Sequence, residues 1–184
     1  IRAGRNKNRL SWNKVDGADG YIILADTCNT RSKKQEKTVK RVKTVVSGDR
    51  TTWTHKKLKS AAWYKYQIKA FKKVNGKRVV ISETPVVHAV TAGSTRYANP
   101  VKVKVNKTKI SVKAGKKKKI KASVVLPKNR ICQQHCDEIR YIVVDKTIAA
   151  VNRKGVIKAK SKGTTTVYAI AQNGASKKIT VTVK

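Results

Sequence analysis

The chain has no methionine, one phenylalanine, three prolines and only nine acidic residues among its 184 residues. It has no apolar run long enough to cross a bilayer and no charged-then-apolar leader at its start. These absences predict that the chain does not insert into a membrane. Because it begins at Ile1 and lacks methionine altogether, we expect a processed or excised piece whose signals or anchors lie outside it.

Residue patterns typical of catalysis are missing as well. The sequence contains no nucleophile beside a general base, no paired carboxylates in a shared motif and no glycine-rich phosphate loop. Enzyme sites are usually recognised by such arrangements. The sequence therefore predicts a non-catalytic protein that needs no cofactor and no metal.

The shortage of acidic residues leaves a very basic protein. Its 45 lysines and arginines against 9 aspartates and glutamates give a formal net charge of +36 at pH 7. Residues 1–96 hold 23 basic and 6 acidic residues, and residues 97–184 hold 22 and 3. Such even coverage favours a solvated surface that also attracts polyanions, whereas a dedicated nucleic-acid binder usually concentrates its charge on one face.

Short runs of alternating apolar and polar residues extend through both halves of the chain. The segment Tyr64–Ala70 alternates in this way, which predicts a strand with one buried face and one wet face. Asn75-Gly76 predicts a tight hairpin, because both central turn positions need positive φ. Valine and isoleucine are common in the apolar set and favour sheets. No stretch shows sustained helical periodicity, so we predict an all-β fold.

Two segments are predicted to be connections. Residues 94–100, STRYANP, form the predicted linker between one domain at 1–93 and another at 101–184. Each domain is then close to the size of a seven-stranded sandwich. The polar and charged segment from Asp26 to Lys37 predicts an exposed loop that contains Cys28.

The first half resembles a fibronectin type III domain. The residues that carry this resemblance are Leu10-Ser11-Trp12, Gly17–Tyr21, Leu58 and, six residues after it, Tyr64. The resemblance implies that the Trp12 side chain fills part of the core between two sheets. It also implies that the Tyr64 hydroxyl braces the backbone at the turn into the penultimate strand. Tyr21 and Leu58 are expected in the same core.

The second half resembles a bacterial immunoglobulin-like domain of group 2. Six segments carry this resemblance: Val105–Lys107, Ala114–Lys116, Thr147–Val151, Gly155–Ala159, Gly163–Thr165 and Val181–Val183. Ile148 and Val151 are the expected core residues among them. Ile142–Val144 replaces a stretch that is usually rich in serine, and residues 126–138 are an insertion relative to the family.

Together the two resemblances imply an all-β chain of two tandem immunoglobulin-like β-sandwich domains. Domains of these families occur together in large secreted or wall-attached bacterial proteins, where they act as stalks, spacers or adhesive modules. The resemblance thus implies an extracellular location, secreted or on the bacterial cell surface. The expected partner is a host or cell-wall polymer or protein, and the fragment itself is expected to be monomeric.

Cys132 and Cys136 flank Gln133-Gln134-His135, and this is the only cluster in the sequence whose side chains could form a covalent bond or bind a metal. In an exported protein a disulfide between them is the first interpretation, with Cys28 left over. Thiols, or a bridge that involves Cys28, are the second. A zinc site is the third, because the cluster supplies three ligands and Cys28 or His88 could add a fourth.

An alternative function is polyanion binding through the lysine-rich surface, with glycosaminoglycan, teichoic acid or nucleic acid as the polymer. Lysine runs at strand edges are commonly solvated turns, so this hypothesis competes with nonspecific attraction. The segment Arg31–Lys43 would contribute to such binding. The individual candidate contacts are Lys116, Lys117, Lys118, Lys119, Lys56, Lys57 and Lys59.

Overall fold

The computed structural model describes residues 1–28, 42–132 and 138–184, and within these ranges β-strands are the only regular secondary structure. The predicted all-β fold of two tandem immunoglobulin-like β-sandwiches is confirmed. The chain divides into two compact units, Ile1–Ala98 and Asn99–Lys184, which we call the first and second unit. The finer bounds 1–93, 94–100 and 101–184 stay a proposal. Within the described ranges no helix could cross a membrane.

In residues 1–28 and 42–98, the described part of the first unit, eight strands form two antiparallel sheets. One sheet has the order β1-β2-β5. The other has the order β4-β3-β6, with β7 and β8 pairing different stretches of β6. The strands are β1 (Arg2–Ala3), β2 (Asn8–Ser11), β3 (Gly20–Thr27), β4 (Val42–Ser47), β5 (Thr52–His55), β6 (Trp63–Val74), β7 (Lys77–Glu83) and β8 (Val87–Val90).

The second unit, outside residues 133–137, has nine strands in three sheets. The orders are β10-β17-β16-β13, β11-β15-β14 and β12-β9. Strand β10 runs parallel to β17, and the other pairs are antiparallel. The strands are β9 (Lys102–Val105), β10 (Lys109–Val112), β11 (Lys117–Lys119), β12 (Ala122–Val125), β13 (Arg140–Val143), β14 (Ala149–Val151), β15 (Val156–Ala159), β16 (Gly163–Ile170) and β17 (Ser176–Val183).

The core of the first unit is supplied by both of its sheets and by the turn after β5. Three of the predicted core residues are buried in it: Tyr21, Leu58 and Tyr64. The fourth, Trp12, is half-buried and packs against this core from its edge. Its ring meets that of Tyr21 edge-on, with 5.3 Å between centroids. An edge-to-face pair of this kind adds stability beyond the buried area.

The Tyr64 hydroxyl has a specific backbone partner. The amide of Lys59 donates a hydrogen bond to it at 2.9 Å, across the turn that leads into β6. The fibronectin type III resemblance implies a backbone contact of this kind for Tyr64. Because Leu58 also donates its amide to the carbonyl of Asn6, the turn is fixed on both sides of its buried leucine.

The second face of β6 differs from the wet face that its alternation predicts. Lys65 is only 4% exposed, and His88, its register partner on β8, is 1% exposed. On the other side of β6, Lys65 lies opposite Asp26 of β3. The period-two pattern places Lys65 on the face opposite Tyr64 and Tyr66, but it cannot tell whether that face is covered, because coverage is a tertiary property.

The hairpin between β6 and β7 turns at the predicted dipeptide. Asn75 and Gly76 have φ of 50° and 73°, and Val74 pairs with Lys77 across the turn. Positive φ at both positions matches a two-residue turn whose twist suits the flanking strands. Local chemistry alone therefore accounts for the hairpin.

The second core is made of valine, isoleucine and alanine side chains. Val167, Ile179, Val181 and Ile157 are completely buried in it. The two predicted core residues, Ile148 and Val151, are half-buried and pack against this cluster. These aliphatic side chains account for a core without phenylalanine, because β-branched residues fill a pleated surface efficiently.

Candidate anion-binding site

The predicted lysine run of the second unit forms an exposed edge strand. Lys117–Lys119 are β11, which pairs with β15 alone among the strands that the structure describes, and Lys116 precedes them in a turn. All four side chains are exposed. Lys117 lies directly opposite Lys158, and like charges in that position destabilise a sheet. An anion near this pair would relieve the repulsion.

A cationic pocket lies at the end of this strand. Its volume is about 360 Å³. Four cationic side chains line it: Lys119, Lys121, Arg153 and Lys154. Four less polar residues complete the lining: Ile120, Ala122, Ile139 and Tyr141. The pocket thus combines a cationic lining with an aliphatic and aromatic surface.

The turn between β14 and β15 places two of these cations. The side-chain oxygen of Asn152 accepts hydrogen bonds from the amides of Lys154 and Val156, both at 3.0 Å. Gly155 follows with φ of 74°. A Cβ atom on Gly155 would lie 2.7 Å from both the Tyr141 hydroxyl and the Ile120 carbonyl. Glycine therefore lets the turn approach the pocket wall closely.

The other two cations are Lys119, which ends β11, and Lys121, which lies just before β12. Ile120 is buried at 1% exposure, and its amide donates to the carbonyl of Gly155 at 2.8 Å. Lys119 and Lys121 flank this buried residue and both line the pocket. The amide of Lys121 donates to the Asn106 side chain at 2.9 Å. The main chain is therefore held on both sides of the pocket.

The charge of the pocket is uncompensated within the described part of the chain, where none of its four cations forms an ion pair. Burial raises the pKa of Tyr141 above its ordinary value, so its hydroxyl stays a neutral hydrogen-bond donor at physiological pH. Lysine and arginine side chains that share a small volume repel each other. The arrangement is suited to binding an anion that also presents an apolar face.

The remaining predicted contacts lie in the first unit. Lys56, Lys57 and Lys59 are exposed in the turn after β5, where Lys57 has φ of 58°. These residues surround the buried Leu58 and the Tyr64 contact, so the turn has a structural role of its own. Of the segment Arg31–Lys43, residues 31–41 lie outside the described residues.

Of the two cysteines predicted to be bridged, Cys132 is among the described residues. Cys132 is disulfide-bonded. Its predicted partner Cys136 and the neighbouring His135 lie outside the described residues, so the Cys132–Cys136 bridge stays a prediction. Within the described ranges no group of three or more His, Cys, Asp or Glu side chains could hold a metal ion.

The exposed loop predicted from Asp26 to Lys37 is wrong at its beginning. Strand β3 continues to Thr27, and Cys28 is buried at 9% exposure. The amide of Cys28 donates to the carbonyl of Trp63 at 2.9 Å, which extends the β3–β6 pairing by one residue. Its Sγ atom lies 3.0 Å from Nδ1 of His88. The physical reason is that backbone pairing and burial override the polar sequence after Ala25.

Sequence reasoning missed this Cys28–His88 pair, and it also missed Lys121, Arg153 and Lys154 of the pocket. Cys28 and His88 are far apart in sequence, as are the Lys119–Lys121 and Arg153–Lys154 segments, and no motif with a fixed spacing links them. The one local signal was the turn Asn152–Gly155, whose asparagine and glycine mark a tight reversal.

Comparisons with known proteins assign part of the chain. Residues 101–183 match the family model of the bacterial Ig-like domain (group 2). These residues include the whole of the cationic pocket. No curated protein shows a significant match to the chain.

Several solved structures are similar to the chain at low sequence identity. The S-layer protein SbsC, residues 31–844, is 18% identical with a TM-score of 0.40, covering 93% of this chain and 21% of its own. The 282-residue C-terminal fragment of intimin, solved with the intimin-binding domain of its translocated receptor, is 15% identical with a TM-score of 0.32. The alignment covers 97% of this chain and 57% of the intimin fragment. The chicken CNTN1 FN1–FN3 domains are 11% identical with a TM-score of 0.32 and coverages of 100% and 64%. The chain spans about a fifth of the S-layer protein's length.

Proposed function

We propose that this chain is a non-catalytic structural or adhesive module of a large secreted or cell-wall-attached bacterial surface protein. It would act there as a spacer or as a binding segment. The observation that carries the proposal is the match of residues 101–183 to the bacterial Ig-like family. We further propose that the first unit is a fibronectin type III-like domain, supported by the Lys59–Tyr64 hydrogen bond and by Trp12 packing on Tyr21.

The architecture supports a mechanical role. Both units fill their interiors with apolar side chains, and antiparallel pairing joins most of their strands. In the second unit β10 pairs with the C-terminal strand β17 in parallel. A spacer needs stable folded units and a soluble surface, and the high density of lysine supplies the second requirement.

Surface labelling tests the location. Antibodies raised against the chain should label intact cells of the source bacterium, while antibodies against a cytoplasmic protein should label only permeabilised cells. Labelling that needs permeabilisation would contradict an extracellular role. Binding of the purified chain to isolated cell walls or to host matrix proteins would then separate an adhesive segment from a spacer, which should bind neither.

A second candidate function is polyanion binding, and the cationic pocket favours it. Four side chains of like charge line about 360 Å³ without an ion pair among the described residues. Ala122 and Ile139, both partly buried, give that volume an apolar surface, and Tyr141 gives it a neutral hydroxyl. Sugar rings with sulfate or carboxylate substituents combine an apolar face with a negative charge. A glycosaminoglycan chain therefore fits the pocket better than a bare phosphate backbone does.

The test uses two variants that each remove four charges from the second unit. The pocket variant changes Lys119, Lys121, Arg153 and Lys154 to glutamine. The matched control changes four exposed lysines elsewhere: Lys102, Lys104, Lys177 and Lys178. Heparin affinity should fall clearly more in the pocket variant than in the control. Equal losses would assign the binding to net charge alone.

A salt series with duplex DNA provides a second criterion. Nonspecific binding should follow a log–log slope of about −0.9 for each phosphate neutralised. If DNA and heparin lose affinity in parallel and neither survives physiological salt, the pocket has no selectivity and polyanion binding is not a function of this chain.

A further inference from the structure

Strand β7 is an edge strand with one unused side. It pairs with β6 from Lys69↔Glu83 to Val74↔Lys77, and among the described residues no strand pairs with its other side. The amide and carbonyl groups on that side are therefore available for main-chain hydrogen bonds. Such an edge is a template for another extended chain.

The centre of β7 is apolar and exposed. Val79, Val80 and Ile81 are 46%, 45% and 44% exposed, and all seven residues of the strand are exposed. Proteins usually protect an edge with proline, with lysine or with a bulge. One such device lies near the centre, a register shift in which Ala70 pairs with Ser82 and Phe71 with Val80, so that Ile81 is the extra residue of β7. Residues 77–80 remain in regular register beyond it.

The ends of the hairpin are strongly cationic. Lys72, Lys73, Lys77 and Arg78 surround its tip, and Lys69 lies at its base. The one acidic residue of β7 is Glu83, whose carboxylate is bonded to Lys69 at 3.0 Å. The guanidinium of Arg78 lies 5.2 Å above the Phe71 ring. The edge is therefore apolar in its middle and positively charged at its tip.

We propose that β7 binds an extended acidic segment of a partner polypeptide, which adds to the sheet as a further strand. Main-chain hydrogen bonds would supply affinity, and side chains on Val79, Val80 and Ile81 would supply packing. Carboxylates of the segment would pair with the cations at the tip. This surface belongs to the first unit and is independent of the cationic pocket in the second.

The charge of the hairpin selects this occupant over a second copy of the chain. Antiparallel pairing of two β7 strands about Val80 would place Lys77 opposite Glu83. However, Glu83 is already bonded to Lys69, and each copy brings a net charge of +36. Two such hairpins repel each other at their tips. An acidic strand replaces that repulsion with attraction.

The test measures binding of a fluorescent nine-residue peptide of alternating glutamate and valine by anisotropy. Controls are the same peptide with every backbone amide N-methylated, which has no N–H group left to donate to an edge, and a poly-glutamate peptide of equal charge. The full chain should bind the first peptide at least about 10-fold more tightly than either control, because strand pairing and apolar contact add to charge.

Two protein variants complete the design. Val79→Asn together with Ile81→Asn keeps the net charge and should weaken binding by about 10-fold, since two apolar contacts are lost. Lys102→Gln together with Lys104→Gln removes two exposed lysines of β9 and should change affinity less than about 2-fold, because surface charges are screened. Circular dichroism checks folding, and the N-methylated peptide gives an answer even if the asparagine variant fails to fold.

The outcomes are distinct. Strand-selective binding that the asparagine variant loses supports the proposal. Equal binding of all three peptides shows attraction by charge alone and overturns it. Concentration-dependent dimerisation that the peptide does not compete with assigns the edge to a second copy, which also overturns it.

Discussion

The Tyr64 hydroxyl offers the sharpest test of the first unit. Tyr64→Phe removes one oxygen atom and leaves the buried ring in place. The amide of Lys59, which donates to that oxygen at 2.9 Å, then loses its partner within the turn. Leaving a donor without its partner costs about 1–3 kcal/mol. We expect about 1.5 kcal/mol, near the lower end of that range, because Lys59 is exposed and water can replace part of the bond.

Urea unfolding measured by tryptophan fluorescence is the appropriate assay. All three tryptophans lie in the first unit, so their emission reports that unit alone. With an m-value of about 1.5 kcal/mol per M, the expected loss lowers the midpoint by about 1 M. The matched control is Tyr168→Phe in the second unit, where the tyrosine is half-buried.

Tyr168→Phe should leave the tryptophan transition unchanged. If Tyr64→Phe shifts the midpoint no more than the control does, the hydroxyl does not brace the turn. The proposal of a fibronectin type III-like first unit would then lose its main support. A change in slope rather than midpoint would also reject the reasoning, because it would indicate a different unfolded state.

Three further predictions concern other sites. Trp12→Ala should destabilise the first unit by about 3 kcal/mol, the lower end of the range for a large core aromatic, because this ring is half-buried; a near-neutral effect in urea unfolding would contradict its place on the core. Burial lowers the pKa of His55, so the unfolded state binds more protons than the folded state. The stability of the first unit should therefore fall as pH drops below about 6.5. His55→Gln should lose that part of the pH dependence, and an unchanged pH profile of this variant would refute the prediction. Intact-mass analysis should show the chain two hydrogen atoms lighter than its reduced form, and peptide mapping should place the bridge between Cys132 and Cys136; a mapped bridge to Cys28 would exclude that pairing.

Elements with a local cause could be predicted from the sequence. The hairpin at Asn75-Gly76 follows from backbone preferences of two neighbouring residues. Strand β6 follows from a period of two that spans Tyr64–Ala70. In both cases the information lies within a few residues, so no knowledge of the rest of the chain was needed.

The candidate sites depended on contacts that sequence periodicity does not encode. Lysine runs are visible in the sequence, but the pocket forms only when the turn Asn152–Gly155 approaches Lys119 and Lys121. The Cys28 thiol meets His88 across a strand that separates them, 60 residues apart in the chain. Their distance depends on strand order, and strand order is set by packing of the whole unit.

The sequence by itself determined that this chain is all-β, basic and built in two halves, because alternation, turn dipeptides and composition act locally or additively. Only the tertiary structure decided which faces are covered and which edges stay open. It buried Lys65 on the face expected to be wet and left Val79–Ile81 exposed on an unpaired edge. Whether a face is buried or an edge is open depends on which strands pack beside it, and the fold of the whole unit determines that packing.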